Sequence, residues 1–283
     1  MAYLKHWNLK EKPFEELCDV RFFYESVDHR EALDRLLYVA NDSNMNMGLL
    51  TGEIGSGKTI TKNVFLNALP RQKFEVVSFD NSSFSFNDIL YDIVESIAYR
   101  DPRLSLMEQI DFTRNDKYAL TQAFKKKLET LTYTEKRHLI IIFDEAQQMH
   151  SQVLDEIKNL TNIGSRTENL MTVFIIGQPE LRSIIKKLPQ VDQRVFLRFH
   201  LKHLDYTETV KYTEHRLRIA GNEKKCMFDG SAFKLIFSST DGVPRVINRL
   251  CKLSLHYGFA QNRDVISEED VQDILDDMQE QLR

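Results

Sequence analysis

The chain has 283 residues, too many for one small core and enough for a large domain with a smaller satellite, since single cores stop growing near about 250 residues. Its 42% hydrophobic and 28% charged content is that of an ordinary globular protein and excludes a fibrous or disordered chain. A net charge of -4 supplies no bulk field for a polyanion, although a local basic surface is compatible with it.

Cys18, Cys226 and Cys251 are far apart and form no CxxC pair, which argues against a zinc site or a disulfide framework and fits a reducing cytoplasm. The opening MAYLKHWNLKEKPFEEL lacks the apolar stretch of a signal peptide, and no run of about 18 apolar residues occurs. The expectation is a cytoplasmic chain with no membrane span of its own, brought to an inner membrane or to the nucleoid only by a partner.

The first twenty or so residues mix aromatics with charges around Pro13 and read as an extended arm. From Asp28 to Ala40, Leu33, Leu36, Leu37 and Ala40 recur at helical spacing. Met47 to Leu50 is a short apolar strand, followed by a Gly-rich segment and a helix with Ile60, Val64, Phe65 and Ala68 on one side. A second strand spans Phe74 to Phe79, and a helix from Phe86 to Tyr99 carries Ile89, Leu90, Ile93, Val94 and Ile97. Arg100 to Arg114 has no period and reads as a loop. A helix from Asn115 to Leu131 leads into Leu139 to Phe143, apolar enough to be buried on both faces. Helix Ser151 to Ile163, strand Met171 to Ile176 and helix Pro179 to Leu188 continue the alternation. Such alternation implies right-handed crossovers and a parallel sheet covered on both faces, an α/β fold.

After Leu204 the pattern is helical only, at about Tyr206 to Ala220, Ser231 to Ser238, Pro244 to Phe259 and Ser267 to Leu282, with Ser267 and Asp270 spaced as a capping box. The expected division is residues 1–204 as arm plus α/β nucleotide-binding domain and residues 205–283 as a small all-α lid.

Two segments carry chemistry. Gly52-Glu53-Ile54-Gly55-Ser56-Gly57-Lys58-Thr59, followed by Ile60, fits G-x-x-x-x-G-K-[ST] between a buried strand and a helix. Glycines there let backbone N–H groups curl around phosphate oxygens, the helix N-terminus adds positive potential, Lys58 reaches the outer phosphates and Thr59 ligates Mg2+. The second is His138 to Glu145, an apolar strand ending in two acids. Asp144 at the strand tip suits the metal ion, directly or through water, and Glu145 suits orientation or deprotonation of an attacking water. Helical crossovers bring both motifs to one edge of the sheet, where ligands of such folds bind.

With these motifs the sequence resembles the AAA+ ATPases, and the resemblance assigns further roles. It inserts strand Met171 to Ile176 between the loop strand and the acidic strand, which favours hydrolysis over phosphoryl transfer to a metabolite. Gln178 in FIIGQPEL falls at the sensor 1 position, or is simply part of the turn before Pro179. Gly242-Val-Pro244-Arg245 resembles the sensor 2 motif, whose arginine reaches the outer phosphate from the lid. Arg194 and Arg198 lie where these ATPases carry an arginine that completes a neighbour's site, Arg194 slightly preferred.

More closely, the chain resembles the ExeA, or general secretion pathway protein A, group. The matching segments are Tyr3-Leu-Lys-His-Trp-Asn-Leu, Lys12-Pro13-Phe14, Arg21-Phe22-Phe23, His29-Arg30-Glu31-Ala32-Leu33, Leu50-Thr-Gly-Glu, Asp144-Glu145-Ala-Gln147 and Gly177-Gln178-Pro179. The resemblance places Phe22, Phe23 and His29 near the adenine; alternatively the two phenylalanines staple the arm to the core. It implies ATP as the nucleotide, and no guanine-reading N-K-x-D stretch is present. Secretion ATPases of this group continue into a transmembrane segment and a peptidoglycan-binding domain, so a short form limited to the AAA+ module is expected. Similar short chains include the TnsC and TniB group of transposition ATPases.

Two roles follow as expectations. One is an ATP-dependent homo-oligomer, ring or filament, that assembles or remodels a protein partner in secretion, pilus or envelope machinery. The other is an ATP-dependent oligomer on duplex DNA that works with a transposase, for which Lys125-Lys126-Lys127, Lys136-Arg137, Lys186-Lys187 and Lys224-Lys225 are the available cations. In either case Lys58→Ala should abolish nucleotide binding or turnover, as read by binding of a fluorescent ATP analogue and by phosphate release.

Overall fold

A computed structural model describes residues 2–16, 18–42, 44–81, 83–99, 116–163, 169–222 and 226–280. The segment expected as a loop, Arg100 to Arg114, and the pair Lys224-Lys225 lie outside the described residues. In chain order the elements are α1 (Ala2–His6), α2 (Val27–Asn41), β1 (Met47–Gly52), α3 (Lys58–Ala68), β2 (Phe74–Phe79), α4 (Phe86–Tyr99) and α5 (Lys117–Glu129). There follow β3 (His138–Phe143), α6 (Ser151–Leu160), β4 (Met171–Gly177), α7 (Glu180–Lys186), α8 (Pro189–Asp192), β5 (Val195–Leu201), α9 (Tyr206–Ile219), α10 (Gly230–Thr240), α11 (Pro244–Ala260) and α12 (Glu268–Glu280). They form two compact units, one of Ala32–Gly52 and Phe65–His200, the other of Met1–Glu31, Glu53–Val64 and Leu201–Arg283.

The first unit is built on a five-stranded sheet in the order β2-β3-β4-β1-β5, with β2, β3, β4 and β1 mutually parallel. β4 follows β3 in sequence yet lies between β3 and β1, as the resemblance implied. Every residue of β1 and β4 is buried, which is why these segments read as unbroken apolar runs rather than alternating ones. Gly48 has a packing reason: a Cβ there would stand 2.8 Å from the Phe174 ring, which lies edge-on to Phe65 at 5.0 Å. Ile89, Leu90, Ile93 and Val94 of α4 and Leu120, Phe124 and Leu128 of α5 are fully buried in the same core.

Three local differences from the sequence reading have physical causes. The helix expected from Pro179 to Leu188 ends at Lys186, and Pro189 opens α8 as a separate short helix, because proline suits a first turn and not an interior. β5 was not legible as a strand: it is an edge strand with mixed exposure, and Phe196 stands 64% exposed where alternation would call for a polar side chain. The N-terminal arm is not extended throughout; it forms α1 and a 3-10 turn at Val20–Phe22.

That arm belongs to the second unit. Trp7 is buried there with its indole N–H donating to the Leu255 carbonyl at 2.9 Å. Phe14 and Phe22 join Tyr212, Phe228, Phe233 and Leu255 in one core. Arg216 is buried; it donates to the carbonyls of Pro13 (2.6 Å) and Glu15 (3.0 Å) and to the Tyr212 hydroxyl (3.1 Å). The guanidinium also lies 5.0 Å from the Phe22 ring centre. Ser267 and Asp270 bond reciprocally at the start of α12, as their spacing implied, and Asp205 with Glu208 forms a full capping box at α9 that the sequence reading did not name.

At the start of β3, burial and the nearby Lys73 ammonium push the His138 imidazole from an ordinary 6.5 down to about 4. Its Nε2 lies 2.9 Å from the Thr172 hydroxyl. The unfolded chain binds this proton below pH 6.5 and the folded chain only near pH 4, so stability must fall as pH falls through that window. Urea denaturation at both ends of the window should show a loss of up to about 3 kcal/mol that shrinks in His138→Gln.

Candidate functional site

β1, β3 and β4 end together, because Phe143 pairs with Ile175 and Leu50 with Ile176 in a parallel register. The loop after Gly52, the Asp144-Glu145 pair and Gln178 therefore all leave the sheet at its carboxyl edge. Asp144 is buried; its amide donates to the Phe79 carbonyl at 2.8 Å and its Oδ1 accepts the Glu145 amide at 2.9 Å. Glu145 has φ 51°, a left-handed conformation that a residue with a Cβ adopts at a cost.

The Glu145 carboxylate is held by two side-chain amides. Gln147 Nε2 donates to Oε2 at 2.6 Å, and Gln178 Nε2 to the same oxygen at 3.3 Å. Gln147 Oε1 in turn accepts the Gln178 backbone N–H at 3.1 Å, closing the triangle. Gly177 makes room for it, since a Cβ there would come within 2.6 Å of Gln147 Oε1. Gln147 was not singled out as a site residue from the sequence; the available signal was an amide two positions beyond a strand-end acid.

In the second unit the segment Glu53–Thr59 curls through positive φ at Gly55 (81°) and Gly57 (100°). Ser56 and Lys58 are buried, and the Lys58 ammonium donates to the Glu53 carbonyl at 2.9 Å. Thr59 is exposed in the first turn of α3, Ile60 is half-buried and Ile54 is largely exposed. The Arg245 amide donates to the Gly55 carbonyl at 3.3 Å, and a Cβ on Gly55 would come within 2.7 Å of the Arg245 Cβ. The start of α11 thus rests on the loop while Arg245 itself is exposed. Gly242, at φ 68°, is required there because a Cβ would overlap the Leu204 carbonyl oxygen.

His29 lies beneath the same loop. It is 4% exposed, with Nε2 3.0 Å from the Ser56 carbonyl oxygen and Nδ1 2.7 Å from the Ser26 hydroxyl. Phe23 meets the ring edge-on at 5.7 Å, and Phe22 packs in the core described above. Burial pushes the imidazole below its usual range, opposed by the Ser56 carbonyl and Asp28. Ser26 also escaped the sequence reading, although a serine three residues ahead at a helix start is the pattern that would find it.

Arg194 and Arg198 are not drawn into either cluster. Arg194 is exposed and donates to Asn162 Oδ1 at 2.7 Å. Arg198 pairs with the Asp192 carboxylate at 2.9 Å and its carbonyl at 2.7 Å, with 45% of its side chain exposed.

A family model described as "AAA domain" matches residues 41–185, half of the chain, and the chain belongs to that family of P-loop nucleoside triphosphatases. Their fold, a parallel sheet followed by a helical part, is the one seen here, and a nucleotide, usually with Mg2+, is the family's ligand. The chain is 30% identical over 274 residues to general secretion pathway protein A of Aeromonas hydrophila, covering 95% of this chain and 47% of that one. It therefore spans about half the length of the curated relative it matches. Solved structures with the same fold include the Aeropyrum pernix ORC2 protein (TM-score 0.58, 20% identity, 87% of this chain and 64% of that one). Drosophila ORC bound to DNA (TM-score 0.66, 15%, 98% and 66%) and the Thermotoga maritima RuvB branch migration motor (0.58, 13%, 90% and 72%) share it too. Among the described residues no helix is long and apolar enough to cross a membrane.

Gln147→Leu removes one donor to Glu145 and the acceptor for the Gln178 amide. If the triangle orients the carboxylate for chemistry, ATP turnover should fall at least about tenfold while ATP affinity changes less than about twofold, by steady-state rates beside equilibrium binding.

Proposed function

We propose that the chain binds Mg-ATP and hydrolyses it within an oligomer, using the cycle to assemble or remodel a protein partner of secretion, pilus or envelope machinery. The observation that carries hydrolysis, beyond binding alone, is the Glu145 carboxylate clamped by Gln147 and Gln178 one residue past the buried Asp144. A carboxylate so fixed can hold an attacking water and take its proton.

The loop fits a phosphate chain. Gly55 and Gly57 turn it through positive φ, and the buried Ser56 hydroxyl has no protein partner among the described residues. Lys58 supplies positive charge at the first turn of α3. Thr59 and Asp144 are the residues that would hold Mg2+, which when bound draws charge from phosphate oxygens. Gly52, Glu53, Ile54 and Ile60 complete the loop and its entry into the helix. Gln178 acts as sensor 1 through its bond to Glu145, and Arg245 as sensor 2 through its place against Gly55. Arg194, bonded among the described residues to the neutral Asn162 side chain, is better able than the ion-paired Arg198 to swing toward a neighbour's site. The envelope role is supported by the likeness to general secretion pathway protein A along nearly the whole of this chain.

A second role, oligomer formation on duplex DNA beside a transposase, is favoured by one surface. Tyr118, Lys125, Lys126 and Tyr133 are all exposed along α5 and the π-helical turn Thr130–Thr134 that extends it. Lys127 of the same run is buried and contributes nothing to it.

Glu145→Gln should bind Mg-ATP with unchanged affinity and lose turnover by at least about a hundredfold, while wild-type activity per subunit should rise with protein concentration; undiminished hydrolysis in the variant would refute the assignment. In fluorescence anisotropy the same variant with Mg-ATP should leave labelled duplex DNA unbound. ATP-dependent binding there would put the DNA role first.

A further inference from the structure

His29 does more than fill space beneath the loop. The Ser56 carbonyl can only accept, so at 3.0 Å the His29 Nε2 must carry the hydrogen. Burial keeps the ring neutral, so Nδ1 is a bare acceptor and the Ser26 hydroxyl is its donor at 2.7 Å. That same hydroxyl oxygen accepts the His29 backbone N–H at 3.2 Å, which fixes the ring to the first turn of α2. Every polar atom of the imidazole is committed within the chain, and the ring's Nε2 edge faces the loop backbone.

Peptide geometry carries the consequence. The chain has no cis peptide among its described residues, so the Ser56 C=O and the Gly57 N–H point in opposite directions across one rigid plane. Holding the carbonyl on His29 therefore aims the Gly57 N–H away from His29. Gly57 has to be glycine for the ring to approach this far: a Cβ would lie 2.6 Å from Nε2, and φ is 100°.

We infer that His29 is a positioning residue for the triphosphate moiety, locking the Ser56–Gly57 peptide so that its N–H faces phosphate, with Ser26 as the residue that locks the ring. It rests on the nucleotide-site reading above, and it moves the role of His29 from the adenine to the phosphates. A base contact and a phosphate-loop strut make different predictions for a ligand without a base.

The test is equilibrium binding of a fluorescent ATP analogue and of tripolyphosphate, the latter by competition, to wild-type, His29→Phe, His29→Gln and Ser26→Ala proteins. Phe keeps a ring and loses the donor; Gln restores a donor near the Nε2 position. His29→Phe should weaken both ligands about tenfold, the effect of one lost hydrogen bond to a buried carbonyl. His29→Gln should recover to within about threefold of wild type, and Ser26→Ala should weaken both ligands by about threefold. If His29→Phe fails to fold, Ser26→Ala alone decides, and unchanged affinity in it overturns the inference. Loss of the ATP analogue with tripolyphosphate unaffected would return His29 to the base and overturn it, as would a Gln variant no better than Phe. A wild-type protein that binds neither ligand would overturn the nucleotide site itself and this inference with it.

Discussion

The parallel register of β3, β4 and β1 is the constraint on which the rest depends. Because Phe143 pairs with Ile175 and Leu50 with Ile176, three strands that are apart in sequence finish at one edge. A shift of one residue in β4 would turn Gln178 away from Glu145 and place Gly177 where it could no longer make room for Gln147, since side chains alternate along a strand. The register is itself secured by burial: β1 and β4 are wholly enclosed, so any slip would have to repack both faces of the sheet.

Legibility in the sequence followed how local each signal is. The Gly52–Thr59 segment was readable because its glycines and lysine sit at fixed offsets between a strand and a helix. The capping pair Ser267 and Asp270 is equally local, and so is the strand ending in Asp144 and Glu145. The place of β4 in the sheet came from resemblance, not from any pattern in its residues. Gln147 and Ser26 were missed because their partners are fixed by rotamers and by a glycine, Gly177 or Gly57, that permits close approach. β5 escaped because its outward positions are not consistently polar: Phe196 stands exposed where a polar side chain would have marked the alternation.

The arm shows the opposite extreme. Nothing in MAYLKHWNLK specifies a helix seated in a core, for the partners of Trp7 lie about 250 positions on, with Leu255 accepting its indole N–H. Short helices are marginal by themselves. α1 owes its order to tertiary packing, which also explains why a reading of aromatics mixed with charges gave an extended segment.

Arg216 holds this arm in a way that bears on how the chain can vary. Its guanidinium grips the carbonyls of Pro13 and Glu15, groups that every amino acid carries, and makes no use of the side chains at those positions. Such a clasp is blind to the letters it fastens. Substitutions at position 15 leave it intact, whereas lysine at 216, a point donor without a rigid fork, would have difficulty spanning both carbonyls. The grip thus places its own demand on one residue of α9 and none on the side chains it fastens, which answer to other partners: Phe14 to the core and the Glu15 carboxylate to Lys252.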